Sequence, residues 1–329
     1  MAPPPMVIVL RPTYRCNLKC IMCDIWKKYQ GTGLQNAMEE LSTDDYTSFI
    51  DQVSKFKPHL HFSGGEPLLR DDIHHLIKHA SDKNLMTSIN TNGLILKKNA
   101  EKLVDHGVHL IYASIDGPEE IHDTIRGTRG SFKKITDGVK KVIDYREKTG
   151  SSLPLIQVQS VIMTENHHLL SETAKIVGRL GVDNYSLFLL DYRATSSDED
   201  PLWTREKPPY HSIDTNLIEE QVKSISESNH GFNFRPYPQH NNPSFNIHDY
   251  FNDPWNNRSC LGCNVPWTYS DIQPNGDVYF CSNMYARVGN ISDQDFMDIW
   301  NGTDYSQLRQ RLVGKNLNSP IVCGRKRTG

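Results

Sequence analysis

Seven cysteines, an odd number that argues against a simple disulfide framework, form two groups in this chain. One group lies near the amino terminus and the other in the last quarter of the sequence: Cys16, Cys20 and Cys23, then Cys260, Cys263, Cys281 and Cys323. Thiolates are the natural ligands of iron–sulfur clusters. The amino-terminal spacing lets three thiolates hold one face of a four-iron cluster and leaves one iron open to the amino and carboxylate groups of a small molecule. One alternative is a zinc site that lacks one ligand. The other is a set of three buried thiols that bind no metal.

A second loop with chemical potential is Ser63-Gly64-Gly65-Glu66-Pro67. Paired glycines let the backbone approach a ligand closely. The carbonyl groups of the loop and the carboxylate of Glu66 are hydrogen-bond acceptors, which suits them to an amino group. An ordinary connection between a strand and a helix is the alternative interpretation.

Together these two motifs resemble those of the radical S-adenosylmethionine (SAM) superfamily, and the resemblance extends over nearly the whole chain. It implies that Cys16, Cys20 and Cys23 bind a catalytic [4Fe–4S] cluster, which reductively cleaves SAM to a 5′-deoxyadenosyl radical. It implies that the amino group of SAM is bound by Gly64, Gly65 and Glu66. Met22, at a position that is often aromatic in the family, is expected to contact the adenine. The family also implies an electron donor of the flavodoxin or ferredoxin type.

Polar residues also follow the next two predicted strands. The resemblance implies that Ser114 and Asp116 make polar contacts with the cofactor. It implies that Arg126, ahead of Arg129, reaches the cofactor carboxylate, a task suited to the paired donors of a guanidinium. Thr91-Asn92-Gly93 lies at an equivalent strand end. Taken alone, these segments are interpreted as turns and surface arginines.

The spacing from Cys263 through Gly276 to Cys281 resembles the opening signature of SPASM and twitch domains, which carry auxiliary clusters. Cys260 and Cys323 complete a set of four thiolates, enough for a second, auxiliary [4Fe–4S] cluster with every iron bound by protein. The further cysteines of a full SPASM pattern are missing, which favours a twitch-like domain with one cluster. A structural zinc site with four cysteines is the alternative.

Three plus four ligands use all seven cysteines, so no thiol is left to return a hydrogen atom to a substrate. A fully ligated auxiliary cluster suits electron transfer. We therefore predict a dehydrogenase-like oxidoreductase that acts on a small molecule such as an aminocyclitol or sugar alcohol. A maturase that modifies a ribosomally made peptide is one alternative, and a non-catalytic iron–sulfur or zinc redox sensor is another. Weak candidates for a catalytic base are Asp191, Tyr192 and His240, since a lone polar residue in a loop is usually only solvated.

The elements that position these motifs follow a βα rhythm over residues 1–190, which predicts an α/β fold with a parallel sheet. Six apolar runs are interpreted as strands: 6–11, 59–63, 86–90, 109–115, 155–162 and 184–190. Six units suit a partial (β/α)6 TIM-like barrel, with its chemistry at the carboxyl ends of the strands. Residues 191–258 are expected to form a bridging region with one helix near 215–228. Residues 259–329 are expected to form the auxiliary cluster domain and tail, with a hairpin at Asn275-Gly276.

Composition excludes several classes of protein. The chain has 36 basic and 39 acidic residues among 329, a net charge of −3, which gives no electrostatic case for nucleic acid or an anionic membrane as partner. No apolar run approaches the roughly 18 residues of a membrane helix, and the amino terminus has no secretory signal. We expect a cytoplasmic protein whose thiols stay reduced.

Overall fold

The computed structural model of the chain describes residues 2–23, 25–26, 39–190, 213–237, 246–252, 265–281 and 287–313. Its strands are β1 (Val7–Thr13), β2 (His59–Gly64), β3 (Thr87–Thr91), β4 (Leu110–Ser114), β5 (Leu155–Ile162), β6 (Asn184–Leu189), β7 (Asn233–Pro236), β8 (Tyr269–Ile272), β9 (Asp277–Tyr279) and β10 (Arg287–Asn290). Its helices are α1 (Thr43–Val53), α2 (Ile73–Asp82), α3 (Leu96–Asp105), α4 (Glu119–Arg126), α5 (Ser131–Thr149), α6 (Leu170–Gly178), α7 (Thr215–Glu227), α8 (Ile247–Asn252), α9 (Val265–Thr268), α10 (Phe296–Asn301) and α11 (Thr303–Val313).

All ten strands belong to one sheet, in the order β10-β9-β8-β1-β2-β3-β4-β5-β6-β7. The strands from β8 through β1 to β7 pair in parallel. Strands β9 and β10 add an antiparallel extension beyond β8. The predicted α/β class and its six parallel strands are confirmed.

Two further parallel strands flank the predicted six. Strand β7 comes from the predicted bridging region, and it was not expected because it is short, polar and ends in a proline. Its pairing with β6 runs from Asn184–Asn233 to Leu187–Pro236. On the opposite flank β8, from the predicted auxiliary domain, pairs with β1. The described parts of all three predicted segments thus share one sheet. Their boundaries at 190 and 258 stay predictions.

Local sequence signals explain where several elements begin and end. The Ser42 side chain accepts from the Asp45 amide, and the Asp45 carboxylate accepts from the Ser42 amide, so both groups cap α1. Gly276 has a φ of +85° in the tight connection that places Ile272 opposite Val278, which confirms the predicted hairpin. Helix α4 has only eight residues and follows Pro118.

The sheet presents two different faces. Alternate side chains such as Leu10, Phe62 and Ile111 are fully buried in the main hydrophobic core, which includes apolar residues of α1, α2, α3, α5 and α6. The other alternate residues are mostly polar and lie on the opposite face. Cross-strand partners on this face include Asn90–Tyr112 and Tyr112–Gln157. The loops that follow the strands meet at one edge of the sheet, and this edge holds the predicted site.

Candidate active site

The glycine loop after β2 is joined directly to the cysteine loop after β1. The Gly65 amide donates to Thr13 O at 2.9 Å, and the Glu66 amide donates to Arg15 O at 2.8 Å. A Cβ atom on Gly65 would lie only 2.3 Å from Arg15 O, so the close approach of the two loops requires glycine there. Gly64 has a φ of +118°, which also favours glycine. The two predicted motifs therefore form one structural unit.

Glu66 is fully buried, and its carboxylate organises the edge of the sheet. Oε1 accepts from the Leu68 amide at 3.2 Å and from Thr91 Oγ1 at 3.0 Å. Oε2 accepts from the Asn92 amide at 2.7 Å. An ionised carboxylate offers about four acceptor sites, and these three hydrogen bonds use most of them. Burial raises the pKa of Glu66 to about 7, although these hydrogen bonds oppose the shift.

Cys16 lies beside the end of β3. Asn92 Nδ2 is 3.7 Å from Cys16 Sγ and donates to Asn17 Oδ1 at 2.7 Å. Burial, reinforced by the negative charge of Glu66, raises the pKa of the Cys16 thiol to about 11. Cluster ligands are thiolates, so binding of a cluster must release this proton. The sequence predicts only a strand-end turn at Asn92, and its position directly after β3 is the signal for its place in the site.

Cys20 is buried against a paired arginine. Arg126 Nη1 is 3.8 Å from Cys20 Sγ, and Arg126 Nε donates to Asp116 Oδ2 at 2.6 Å. Asp116 Oδ1 accepts from the Val161 amide at 3.0 Å, so both carboxylate oxygens are engaged. Burial acts to lower the pKa of Arg126, but Asp116 and Cys20 raise it well above its usual range. Asp116 therefore holds a permanent positive charge against Cys20.

His122 supports this arrangement from behind. Its Nδ1 accepts from the Asp116 amide at 3.2 Å. Burial lowers the pKa of His122 to about 4, and the charge of Arg126 adds to the shift. The ring is therefore neutral at physiological pH and can accept this hydrogen bond.

The cysteine loop has the donors that a four-iron cluster requires. No disulfide involves Cys16, Cys20, Cys23 or Cys281. Within the described ranges, no three His, Cys, Asp or Glu side chains are arranged to hold a metal ion. A four-iron cluster does not need them to converge, because each thiolate binds a different iron. The donors of Asn92 and Arg126 also suit bound sulfur, since hydrogen bonds to the sulfurs are common in cluster sites. The residues present therefore fit the cluster.

The remaining predicted residues are placed as follows. Ser114 ends β4 and is half-buried, as is Met22, whereas Arg129 is exposed. The structure thus brings Arg126 to the cysteine loop and leaves Arg129 at the surface. Cys281 is buried two residues beyond β9. Predictions for six residues lie outside the described residues: Asp191, Tyr192, His240, Cys260, Cys263 and Cys323.

Two regions of the chain match known protein families. Residues 10–176, just over half of the chain, match the family described as the radical SAM superfamily. The chain belongs to the radical SAM superfamily. Residues 263–325 match the SPASM family, described as an iron-sulfur cluster-binding domain. This radical SAM protein therefore uses SAM and [4Fe–4S] clusters as its cofactors.

Curated relatives of this radical SAM protein include enzymes with different names. An AdoMet-dependent heme synthase of Methanosarcina barkeri is 27% identical, with 94% of this chain and 87% of the relative covered. A PqqA peptide cyclase of Bradyrhizobium diazoefficiens is 29% identical, but the match covers 57% of this chain and 47% of the relative. Only the first of these two matches spans both matched regions.

Solved structures confirm the fold. Streptococcus suis SuiB superimposes with a TM-score of 0.67 at 19% identity, covering 97% of this chain and 71% of SuiB. The protein anSMEcpe with bound AdoMet gives a TM-score of 0.64 at 18% identity, covering 92% of this chain and 82% of that protein. In the part of the radical SAM chain that the structure describes, no helix is long and apolar enough to cross a membrane.

Proposed function

We propose that this radical SAM enzyme oxidises a small molecule by two electrons. When bound, the reduced catalytic cluster supplies the electron that cleaves SAM to a 5′-deoxyadenosyl radical. In the proposed reaction the substrate loses a hydrogen atom to this radical, a proton to a base and an electron to the auxiliary cluster. The observation that carries the proposal is the joining of the Cys16 loop to Glu66 at one edge of a sheet that continues into the cluster-binding domain.

The residues of the chain have distinct roles in this proposal. Cys16, Cys20 and Cys23 bind the catalytic cluster, and the backbone of Gly64 and Gly65 with the Glu66 carboxylate binds the amino group of SAM. Arg126 is held by Asp116 and offsets negative charge at Cys20, while Ser114 and Met22 line the cofactor. The auxiliary cluster is bound by Cys260, Cys263, Cys281 and Cys323. The base is sought among Asp191, Tyr192 and His240.

The relatives refine the proposed substrate. The heme synthase match covers 94% of this chain, including the cluster-binding domain. This favours a carboxylate-bearing tetrapyrrole over the aminocyclitol or sugar alcohol that sequence analysis predicted. A peptide is the second candidate, because PqqA peptide cyclase matches over 57% of the chain. The cytoplasmic location and the electron donor of the flavodoxin or ferredoxin type stay predictions.

The first experiment is anaerobic reconstitution with iron and sulfide, reduction, and measurement of 5′-deoxyadenosine formed from SAM. We expect about eight irons per chain and loss of SAM cleavage in Cys20→Ala. Cys281→Ala is the matched variant for the other cluster: about four irons should remain, with SAM cleavage retained. If Cys20→Ala cleaves SAM at the wild-type rate, the proposed cluster site is wrong.

The second experiment compares candidate substrates. Tetrapyrroles with carboxylate side chains and peptides are incubated separately with the reduced enzyme and SAM, and the products are identified by mass spectrometry. We expect a tetrapyrrole product that has lost two electrons relative to its substrate. A redox-neutral product would contradict the oxidative reaction, and turnover of peptides alone would establish the second candidate.

A further inference from the structure

The sheet face opposite the helices has an unusual composition for a barrel interior. Cross-strand pairing places two rows of side chains on this inner face: Asn90, Tyr112, Gln157 and Asn184 in one row, and Ser114, Gln159, Ser186 and Arg235 in the next. Cross-strand partners share a face of the sheet. The interior of a closed parallel barrel is normally filled by bulky branched side chains. Amides and hydroxyls here indicate a surface made to bind a polar molecule.

The inner face is organised by its own contacts but keeps unused polar atoms. Gln157 Nε2 donates to Ser186 Oγ at 2.9 Å. The rings of His61 and Tyr112 pack edge to face, with centroids 5.3 Å apart. The buried Oδ1 atom of Asn90 has no hydrogen-bond partner. A buried polar atom without a partner is costly.

Charge distinguishes one residue on this face. The carboxylate of Asp271, at the β8 end of the sheet, is held by Arg11 in a bidentate pair with distances of 2.7 and 2.8 Å. This pair adds no net charge. Arg235, on β7, is exposed and forms no ion pair within the described residues. Among the described residues, the inner face therefore presents one positive charge that no carboxylate offsets.

An exposed arginine on an edge strand is often only solvated, but two observations place Arg235 at the binding face. Its cross-strand partner Ser186 is fully buried. The positive charge of Arg235 also acts on the Tyr112 hydroxyl, opposing the rise in the Tyr112 pKa that burial produces. The pairing register independently places Arg235 on the same side of the sheet as Tyr112. Arg235 shares its row with Ser114, the last residue of β4, and so lies near the cofactor edge.

We propose that the inner face binds a carboxylate group of the substrate, with Arg235 as its anchor and the half-buried hydroxyl of Tyr112 on the same face. A guanidinium matches the two oxygens of a carboxylate with two parallel hydrogen bonds. The inference rests on the proposed function and adds the chemical group by which the substrate is held. Arg235 is a positioning residue for the substrate and takes no part in cleavage of SAM.

The test uses the reconstituted holoenzyme in the absence of reductant. The probe is protoporphyrin IX, the metal-free ring of heme. Binding is followed by the fluorescence anisotropy of the porphyrin. The dimethyl ester of the same ring lacks the carboxylate charges and serves as the matched ligand. Arg235→Gln and Arg235→Lys are compared with Arg179→Gln, which changes an exposed arginine at the end of α6.

We expect the acid to bind the wild type about 10- to 100-fold more tightly than the ester, the range for loss of a charge-assisted hydrogen bond. Arg235→Gln should remove this preference, Arg235→Lys should restore part of it, and Arg179→Gln should keep it. Equal binding of acid and ester to the wild type, no binding of either, or an equal loss in Arg179→Gln would overturn the inference. Oxidation of the tetrapyrrole by the wild type, measured from the mass of the product, tests the proposed function separately, so the two failures are distinguishable.

Discussion

The affinity of the enzyme for SAM should rise with pH because of Glu66. Without SAM, burial raises the pKa of Glu66 to about 7. In the proposed site the ionised carboxylate accepts from the amino group of SAM, whereas protonation would place a hydrogen on the carboxylate and remove an acceptor. SAM should therefore bind the ionised form and release a proton at neutral pH.

The magnitude follows from the fraction of enzyme that is ionised. With a pKa of about 7, about one molecule in eleven has an ionised Glu66 at about pH 6, and about ten in eleven at about pH 8. Apparent affinity scales with the competent fraction, so it should rise about tenfold between these values. Because the pKa of Glu66 is raised to about 7, SAM binding should weaken as the pH falls below about 7.

The assay is isothermal titration of the reconstituted, unreduced enzyme with SAM at several pH values, so that SAM is bound but not cleaved. The α-amino group of SAM itself titrates near a pKa of about 8, which adds its own pH dependence. Glu66→Gln has nearly the same shape and cannot ionise, so it reports that second contribution alone. The ratio of wild-type to Glu66→Gln affinity should rise about tenfold from about pH 6 to about pH 8. A constant ratio would refute the reasoning.

Three further changes test the contacts of the cysteine loop. Asn92→Ala removes a donor to Cys16 Sγ and should lower the midpoint potential of the catalytic cluster by about 20–60 mV, for a hydrogen bond of about 0.5–1.5 kcal/mol. Redox titration followed by electron paramagnetic resonance measures the potential, and Asn99→Ala on α3 should leave it unchanged. Arg126→Met leaves the fully buried Asp116 without its cation and should lower the free energy of unfolding by about 3–5 kcal/mol. Lys141→Met, in an exposed pair, should lower it by at most about 1 kcal/mol, and equal losses in denaturant titrations would contradict this account. Gly65→Ala should displace the cysteine loop, because the added carbon lies 2.3 Å from Arg15 O, and the iron content should fall. Gly150→Ala is strained by a φ of +67° but adds its carbon to open space, so it should keep its iron.

The sequence determined much of the architecture because the relevant signals are local. Apolar runs located the six strands β1 to β6. Ser42 and Asp45, three residues apart, cap the start of α1 through an equally local signal. The spacing of Cys16, Cys20 and Cys23 placed three thiols on one loop, and Gly64-Gly65 identified a loop built for close approach. Each of these signals acts over a few neighbouring residues, within the reach of propensity and periodicity.

Only the tertiary structure decided how these parts meet. Asn92 reaches a cysteine 76 positions away, and Arg126 reaches one 106 positions away. Strand β7 is too short and polar to be recognised alone, and it forms because β6 offers a partner. That pairing places Arg235 on the inner face. Such contacts arise because parallel strands bring distant segments to one edge and one face of a sheet, and no local pattern of residues encodes the pairing of strands far apart in the chain.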